Sequence, residues 1–168
     1  SLLAADLIVK AGYDIIGLDH FALPEDSLAI AARSGELRRN FQGYTDDDCE
    51  TLIGLGPSAV SRYREGYAQT VPATGAYQRQ VANGTLPIVR GVAFSDDDRM
   101  RGWVIERLMC DFAFSASEAL SRFGSAANTI LAEAAIVMQD DEPMLLREGD
   151  MFVVPREHHP LVRIVAAR

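Results

Sequence analysis

Residues 38–60 constrain the fold of this chain more than any other stretch. They have the sequence RRNFQGYTDDDCETLIGLGPSAV, which closes on the apolar run GLGPSAV. Two glycines and a proline within seven residues mark places where the backbone turns sharply or where something approaches it closely. A ligand held against a sheet edge needs such a surface, and a tight packing corner, the more common case, needs it too. The pattern leaves both interpretations open.

Composition places the chain among ordinary globular proteins. Its 168 residues are 48% apolar, which suits one or two small domains. The net charge is −8 and Lys10 is the only lysine, so neither nucleic acid nor an anionic membrane surface is an expected partner. No apolar run approaches the roughly 20 residues that cross a bilayer.

The two cysteines, Cys49 and Cys110, lie far apart in the sequence. This usage is typical of free thiols in a reducing compartment and predicts a cytoplasmic protein. Two thiolates are also too few for an iron–sulfur cluster, which takes three or four.

The first half of the chain alternates between helical and extended patterns. Apolar spacing predicts a helix over residues 2–11, a strand over 13–21, a helix over 25–33 and a strand over 38–45. Helix followed by strand is the repeat unit of an α/β layer or barrel. Further strands and a helix lead to a predicted domain boundary near residue 88.

The second half is predominantly helical. Acidic residues after Ser95 and the Ser115-x-x-Glu118 capping box begin two helices, and a third follows Ser125. Residues 144–154 have the pattern of a β-hairpin, with a final helix after it. The sequence therefore predicts an α+β chain whose second domain, 89–168, is a helical winged-helix-like module with a hairpin, preceded by a first domain over 1–88.

Two pairs of adjacent residues contain histidine and invite a chemical interpretation. Asp19 and His20 are neighbours on a predicted strand, so their side chains should point to opposite faces and form no dyad. A structural hydrogen bond is the expected role of His20. His158 and His159 lack further ligands, which favours a surface loop over a metal site. We assign no catalytic residue and no metal ligand to this chain.

Several segments, all in register, carry a resemblance that covers nearly the whole chain. They resemble the oxygen-independent coproporphyrinogen III oxidases, a radical S-adenosylmethionine (SAM) family. The matching segments are GLDHFA at 17–22 with PED at 24–26, RNFQGYT at 39–45, GLGPSAV at 54–60, GYAQ at 66–69, RG at 90–91 and CDF at 110–112.

The resemblance implies an activity in haem biosynthesis. Members of the family cleave SAM at a 4Fe-4S cluster with an electron from a donor. The resulting radical removes a hydrogen from a propionate of coproporphyrinogen III, and loss of CO2 and one electron leaves a vinyl group. Two rounds give protoporphyrinogen IX. The protein positions the cofactor against the propionate and excludes water.

The family's CxxxCxxC cluster motif is absent from this chain. Both ends of the sequence also have the appearance of interrupted elements. We therefore expect a C-terminal piece that holds the terminal β/α elements of the radical SAM barrel and the helical domain covering the active site. Such a piece should be inactive alone, and its exposed strand edges should favour self-association.

Three positions carry cofactor-binding roles over from the family. Val60 matches an aliphatic position that contacts SAM, while Phe41 and Gln42 match residues lining the cofactor and substrate side of the site. An apolar wall and an aromatic face suit an adenosyl group, and a glutamine both donates and accepts hydrogen bonds. Pro57 departs from the family pattern, where a small or aliphatic residue is expected.

Two rival interpretations remain at this point. A haem-chaperone branch of the superfamily shares the barrel, but RNFQGY and GLDHFA favour the oxidase. The other rival is a stand-alone acidic interaction module with a winged-helix fold and no chemistry.

Overall fold

The computed structural model of the protein describes residues 2–40 and 43–167. In these residues, helices α1 to α7 span Leu2–Lys10, Ser27–Ser34, Thr74–Ala82, Asp96–Asp111, Ala116–Phe123, Ala127–Val137 and Val162–Val165. Strands β1 to β10 span Asp14–Ile16, His20–Ala22, Arg38–Arg39, Tyr44–Thr45, Val60–Tyr63, Gly66–Thr70, Ile88–Ala93, Ala113–Ser115, Leu146–Glu148 and Met151–Val153. The described strands form four small antiparallel sheets and no closed barrel. This mixture confirms the predicted α+β class.

The chain divides into two compact units. One unit comprises residues up to 47 together with those from 99 onward, and the other comprises residues 48–98. The units thus separate after residues 47 and 98. The division into domains 1–88 and 89–168 stays a prediction about the whole protein.

The segment 13–22 is not the single strand that the sequence predicts. It forms a hairpin in which Ile16 pairs with His20 across a turn. The turn contains Gly17, whose φ of +55° lies in the left-handed region that glycine adopts most easily. Its apolar residues gave an uninterrupted strand pattern, and the single glycine was the signal for the turn.

Two apolar clusters fill the first unit. The larger one packs α4, α5 and α6 against the hairpin of β9 and β10, with Leu108, Phe114, Ile130, Phe152 and Val162 among its buried members. The smaller one joins the β1–β2 hairpin to α2 and α4 through Ile16, Ala29, Leu37, Tyr44 and Cys110. Helix α4 contributes to both clusters, as a helix with apolar residues on two sides must.

The hairpin of the second half forms as predicted. Strand β10 lies between β9 and β8, so the sheet order is β8–β10–β9. The turn before β10 holds Asp150, whose carboxylate accepts hydrogen bonds from the hydroxyl groups of Ser115 at 2.5 Å and Ser117 at 2.8 Å. Ser115 in turn accepts a hydrogen bond from the backbone N–H of Glu118 and caps α5, which confirms the predicted N-cap.

The second unit is a three-stranded antiparallel sheet with one helix, α3. Its strand order is β5–β6–β7, which leaves β7 at an edge. All six residues of β7 are exposed. An edge strand of this length offers unpaired backbone groups to another strand.

No helix in the described part of the chain combines the length and the apolar character needed to cross a membrane.

Candidate functional site

The segment 38–45, predicted as one strand, is a hairpin. Arg39 pairs with Tyr44, and the turn between them is closed at its base by Asn40 and Gly43. The Asn40 N–H donates to the Gly43 carbonyl at 2.9 Å, and the Gly43 N–H donates to Asn40 Oδ1 at 3.3 Å. Gly43 has a φ of +145°, a conformation that a side chain would strain. Phe41 and Gln42, two of the predicted cofactor-binding residues, lie outside the described residues.

Tyr44 anchors this 38–45 hairpin in the smaller cluster. Its hydroxyl donates to the carbonyl of Met109 in α4 at 2.9 Å and accepts from the N–H of Leu18 at 2.9 Å. Burial raises the pKa of the Tyr44 phenol, so the group remains a neutral donor and acceptor. The ring occupies the space where a side chain at Gly17 would extend, so only glycine fits there.

Helix α4 also holds the strand that leads into the hairpin. The Glu106 carboxylate accepts a hydrogen bond from the Arg39 N–H at 3.1 Å. The buried guanidinium of Arg107 donates to the Leu37 carbonyl at 2.8 Å and pairs with Asp111 at 2.6 Å. Burial raises the pKa of Asp111, and the positive charge of Arg107 opposes that shift. The 38–45 hairpin is therefore positioned by residues more than sixty positions away.

The expectation that Asp19 and His20 point to opposite faces is wrong. His20 Nδ1 lies 2.9 Å from Asp19 Oδ1, within hydrogen-bond distance. Alternation of side chains holds only within a strand, whereas Asp19 belongs to the turn and β2 begins at His20. The predicted structural hydrogen bond of His20 is confirmed. The His20 ring also meets the Tyr44 ring edge-on, with centroids 5.0 Å apart.

His159, which the sequence predicts in a surface loop, lies in a short 3₁₀ helix over Arg156–Leu161 with its ring partly buried. Its ring stacks on Phe112 with centroids 3.6 Å apart, and Nε2 lies 3.1 Å from the Val154 carbonyl. Burial lowers the pKa of His159. The imidazole therefore packs as a neutral aromatic ring in the first unit.

Val60, the third predicted cofactor-binding residue, begins β5 in the second unit and is partly buried. The GLGPSAV run before it is a packed corner. The Gly54 N–H donates to Ser61 Oγ at 3.1 Å, and a side chain at Gly54 would meet the Val60 carbonyl at 2.7 Å. Thr70 Oγ1 donates to the Gly56 carbonyl at 2.6 Å. Gly54 thus serves close packing of backbone around Val60, one of the two interpretations that the sequence left open, whereas Gly56 has open space beside it and a φ of +107° that favours glycine.

The cysteines do not form a cluster site. Cys110 is buried, and burial raises the pKa of its thiol to about 12, so it stays protonated at neutral pH. Cys49 is exposed. One buried thiol and one exposed thiol are not the three or four thiolates that an iron–sulfur cluster requires.

The chain is similar over nearly its whole length to known proteins of one kind. No protein-family model matches it. It is 42% identical over 165 residues to "Coproporphyrinogen III oxidase, anaerobic 1" of Cereibacter sphaeroides, covering 98% of this chain and 36% of that protein. It is 44% identical to an oxygen-independent coproporphyrinogen III oxidase of Paracoccus denitrificans, covering 97% and 36% respectively. The solved structure of the Escherichia coli coproporphyrinogen III oxidase HemN, a radical SAM enzyme, matches 99% of this chain with a TM-score of 0.90 at 31% identity.

This chain is a relative of the oxygen-independent coproporphyrinogen III oxidases. The resemblance inferred from RNFQGYT and GLGPSAV is confirmed by an alignment that includes nearly every residue. The chain spans about 36% of the length of the curated oxidases it matches and 39% of the solved oxidase.

Sequence reasoning did not identify the groups that hold the 38–45 hairpin. Tyr44 belongs to the matching RNFQGY segment, but nothing in its neighbours predicts a bond to Met109. Glu106 is one of several acidic residues on α4, and no local pattern distinguishes it. The spacing along α4 predicts which residues face the core but not which backbone groups they meet.

Proposed function

We propose that this chain is the C-terminal part of an oxygen-independent coproporphyrinogen III oxidase, which converts two propionates of coproporphyrinogen III to vinyl groups. The observation that carries the proposal is the structural match to a radical SAM coproporphyrinogen III oxidase over 99% of the chain at a TM-score of 0.90. Because the chain covers only 36% of its relatives, the activity is that of a whole protein. We expect the chain alone to be inactive.

A 4Fe-4S cluster would be held elsewhere in that protein. Neither Cys49 nor Cys110 suits it, because the first is a single exposed thiol and the second is buried and protonated. Residues 1–88 would complete the barrel that carries the cluster, and residues 89–168 would form the helical domain over its site. The proposed setting is the cytoplasm, with an electron donor that reduces the cluster.

The residues of this chain suit a role in holding SAM. When bound, SAM supplies the radical that removes a hydrogen atom from the propionate. Val60 offers a partly buried aliphatic surface, and Gly54 packs closely against its carbonyl. Such an apolar wall suits an adenosyl group. The resemblance to the family assigns Phe41 and Gln42 to the same cofactor, to which they would offer an aromatic face and a hydrogen-bonding amide.

The test uses the full-length gene product, purified without oxygen and loaded with its cluster. Incubation with SAM, a reductant and coproporphyrinogen III should yield protoporphyrinogen IX, measured by chromatography after oxidation to the fluorescent porphyrin. Val60→Ala should weaken SAM binding by roughly five- to tenfold, since it removes two methyl groups from the proposed apolar wall. Val81→Ala, an exposed position on α3, is the control. A protein that binds haem but does not convert coproporphyrinogen III would favour the haem-chaperone branch. A protein that does neither would favour the interaction module.

We also propose that the chain by itself associates through β7. The strand is an edge, and Val89 and Val92 expose 55% and 64% of their surface. Val89→Lys places a charge on this edge and should oppose pairing. Light scattering during size-exclusion chromatography should show a mass above 18.3 kDa for the wild-type chain and a lower mass for the variant. A strict monomer at high concentration would contradict the proposal.

A further inference from the structure

The three strands of the second unit place a row of three different side chains across one face of their sheet. Val60 of β5 pairs with Gln69 of β6, and Gln69 pairs with Arg90 of β7. Residues directly opposite one another on antiparallel strands have side chains on the same face, so the row presents an aliphatic group, an amide and a guanidinium side by side. Its two ends, Val60 and Arg90, are two interstrand spacings apart, about 10 Å.

The guanidinium of Arg90 is oriented by its neighbour in this row. Arg90 Nε donates a hydrogen bond to Gln69 Oε1 at 2.6 Å, and Gln69 Nε2 donates to the Ser58 carbonyl at 3.0 Å. Ser58 has a φ of +59°, a left-handed conformation that serine adopts rarely. Ser58 precedes Val60 by two residues. The amide of Gln69 therefore connects Arg90 to a constrained turn beside Val60.

A second guanidinium lies on the same face of the sheet. Arg62 follows Val60 by two residues along β5, so its side chain points to the same side. It pairs across the strands with Tyr67, which pairs in turn with Val92. Within the described residues, neither the guanidinium of Arg62 nor the two terminal nitrogens of Arg90 have a hydrogen-bond or carboxylate partner. We refer to this surface, formed by Val60, Arg62, Tyr67, Gln69, Arg90 and Val92, as the Val60 face.

The charge of the Val60 face distinguishes between the two ligands of the proposed reaction. SAM carries a sulfonium and an ammonium group beside its single carboxylate, so two guanidinium groups repel its net positive charge. The tetrapyrrole is a polyanion with propionate side chains on an apolar ring system. Guanidinium groups stay charged at neutral pH and bind carboxylates through two parallel hydrogen bonds. The carboxylate of the β5–β6 hairpin, Glu65, lies in its turn at the far end from Arg90. The face therefore suits the tetrapyrrole.

We propose that Arg90, oriented by Gln69, and Arg62 bind propionate groups of coproporphyrinogen III on the Val60 face. The inference rests on the proposed function, in which SAM contacts Val60 and supplies the radical that removes a hydrogen atom from a propionate. The two ligands must then meet, and a propionate held by Arg90 lies about two strand spacings from the residue that contacts SAM. Arg62 and Arg90 are thus substrate-binding residues, and Gln69 is a positioning residue for Arg90.

Four substitutions separate this role from a structural one. Arg90→Gln and Arg62→Gln each remove one guanidinium from the Val60 face. Because the Arg62 side chain has no hydrogen-bond partner within the described residues, Arg62→Gln tests binding without removing a structural contact. Arg90→Lys keeps the charge and loses the planar pair of donors. Arg79→Gln is the matched control, since it removes an exposed arginine of the same unit that lies on α3, outside the sheet.

The experiment uses the full-length protein, purified without oxygen and loaded with its cluster. Equilibrium dialysis without a reductant gives the dissociation constants for SAM and for coproporphyrinogen III, the latter read as porphyrin fluorescence after oxidation. Arg90→Gln should weaken coproporphyrinogen III binding by about tenfold or more, as expected for a lost hydrogen bond to a charged group, and change SAM binding by less than about twofold. Arg62→Gln should act in the same direction, and Arg90→Lys should be milder than Arg90→Gln. Added salt should weaken tetrapyrrole binding more steeply in the wild type than in Arg90→Gln.

The outcomes distinguish this inference from the function on which it rests. A wild-type protein that neither binds nor converts coproporphyrinogen III overturns both. A wild-type protein that converts it, with Arg90→Gln and Arg62→Gln variants that bind it as tightly as Arg79→Gln does, overturns only the role of the Val60 face. Weaker SAM binding in Arg90→Gln with unchanged tetrapyrrole binding also overturns it and assigns Arg90 to the methionyl carboxylate. Loss of both ligands in Arg90→Gln with a lowered thermal midpoint, while Arg62→Gln binds normally, overturns it as well and assigns Arg90 to the support of the turn at Ser58.

Discussion

The hydroxyl group of Tyr44 donates a hydrogen bond to the backbone carbonyl of Met109 at 2.9 Å, across 65 residues of sequence. The same oxygen accepts a hydrogen bond from the N–H of Leu18. One phenol therefore connects α4, the 38–45 hairpin and the turn between β1 and β2. The placement of Tyr44, the last residue of the RNFQGY segment, depends on a helix of the second half of the chain.

Tyr44→Phe should lower the free energy of unfolding by about 1–3 kcal/mol, because it leaves a backbone N–H and a backbone carbonyl without their partner while keeping the ring. Urea unfolding monitored by circular dichroism measures the change. Tyr13→Phe is the control, since Tyr13 is exposed and its hydroxyl has no bond within the described residues. Equal stabilities of the two variants would contradict the role of the Tyr44 hydroxyl.

Gly17→Ala should destabilise the protein by about 2 kcal/mol or more. The substitution puts a side chain in a left-handed conformation, which costs about 1–2 kcal/mol, and it displaces the Tyr44 ring in addition. Gly102→Ala should instead raise the free energy of unfolding. Gly102 lies inside α4 with open space around it, so alanine should stabilise the helix by roughly 0.5–1 kcal/mol. Thermal unfolding tests both expectations: the midpoint should fall for Gly17→Ala and rise for Gly102→Ala.

Cys110 should resist alkylation while Cys49 reacts. Burial keeps the Cys110 thiol protonated, with a pKa of about 12, whereas Cys49 is exposed. Mass spectrometry after treatment with iodoacetamide should find one modified cysteine in the folded protein and two in urea. Rapid modification of both thiols in the folded protein would contradict the burial of Cys110.

The raised pKa of Cys110 also predicts a loss of stability at high pH. Above the ordinary thiol pKa of 9.0 the unfolded chain releases this proton, while the folded chain keeps it up to about 12. Ionisation therefore favours the unfolded state as the pH rises through that window. The stability of the wild type should fall relative to that of Cys110→Ala between pH 9 and 12. Parallel curves for the two proteins would contradict the shift.

Asp150 should stabilise the folded protein at neutral pH and lose this contribution at low pH. Hydrogen bonds from Ser115 and Ser117 lower the pKa of Asp150 below its ordinary value of 3.8. A lowered pKa gives a stabilisation that is present above the ordinary pKa and is lost as the pH falls through the folded value. Asp150→Ala should therefore lower the thermal midpoint at pH 7 and have a smaller effect at pH 2. Asp141→Ala, at an exposed turn position, is the control.

Local signals in the sequence accounted for the helices. Apolar spacing located α1 and α2, the acidic residues after Ser95 located the start of α4, and the Ser115-x-x-Glu118 pattern located the start of α5. These predictions succeed because a helix is specified by contacts between residues three or four apart. The same local rules failed at 13–21 and 38–45, where an apolar or aromatic run continues through a hairpin turn.

The sequence of this protein established its α+β composition, most of its helices and its relationship to the coproporphyrinogen III oxidases. Only the tertiary structure decided that Asp19 and His20 form a pair, that Tyr44 fixes the hairpin against α4, and that Gly54 serves close packing beside Val60. The physical reason is distance along the chain. Helix spacing and capping act within one turn, whereas the bond between Tyr44 and Met109 forms only when the folded core closes a loop of 65 residues.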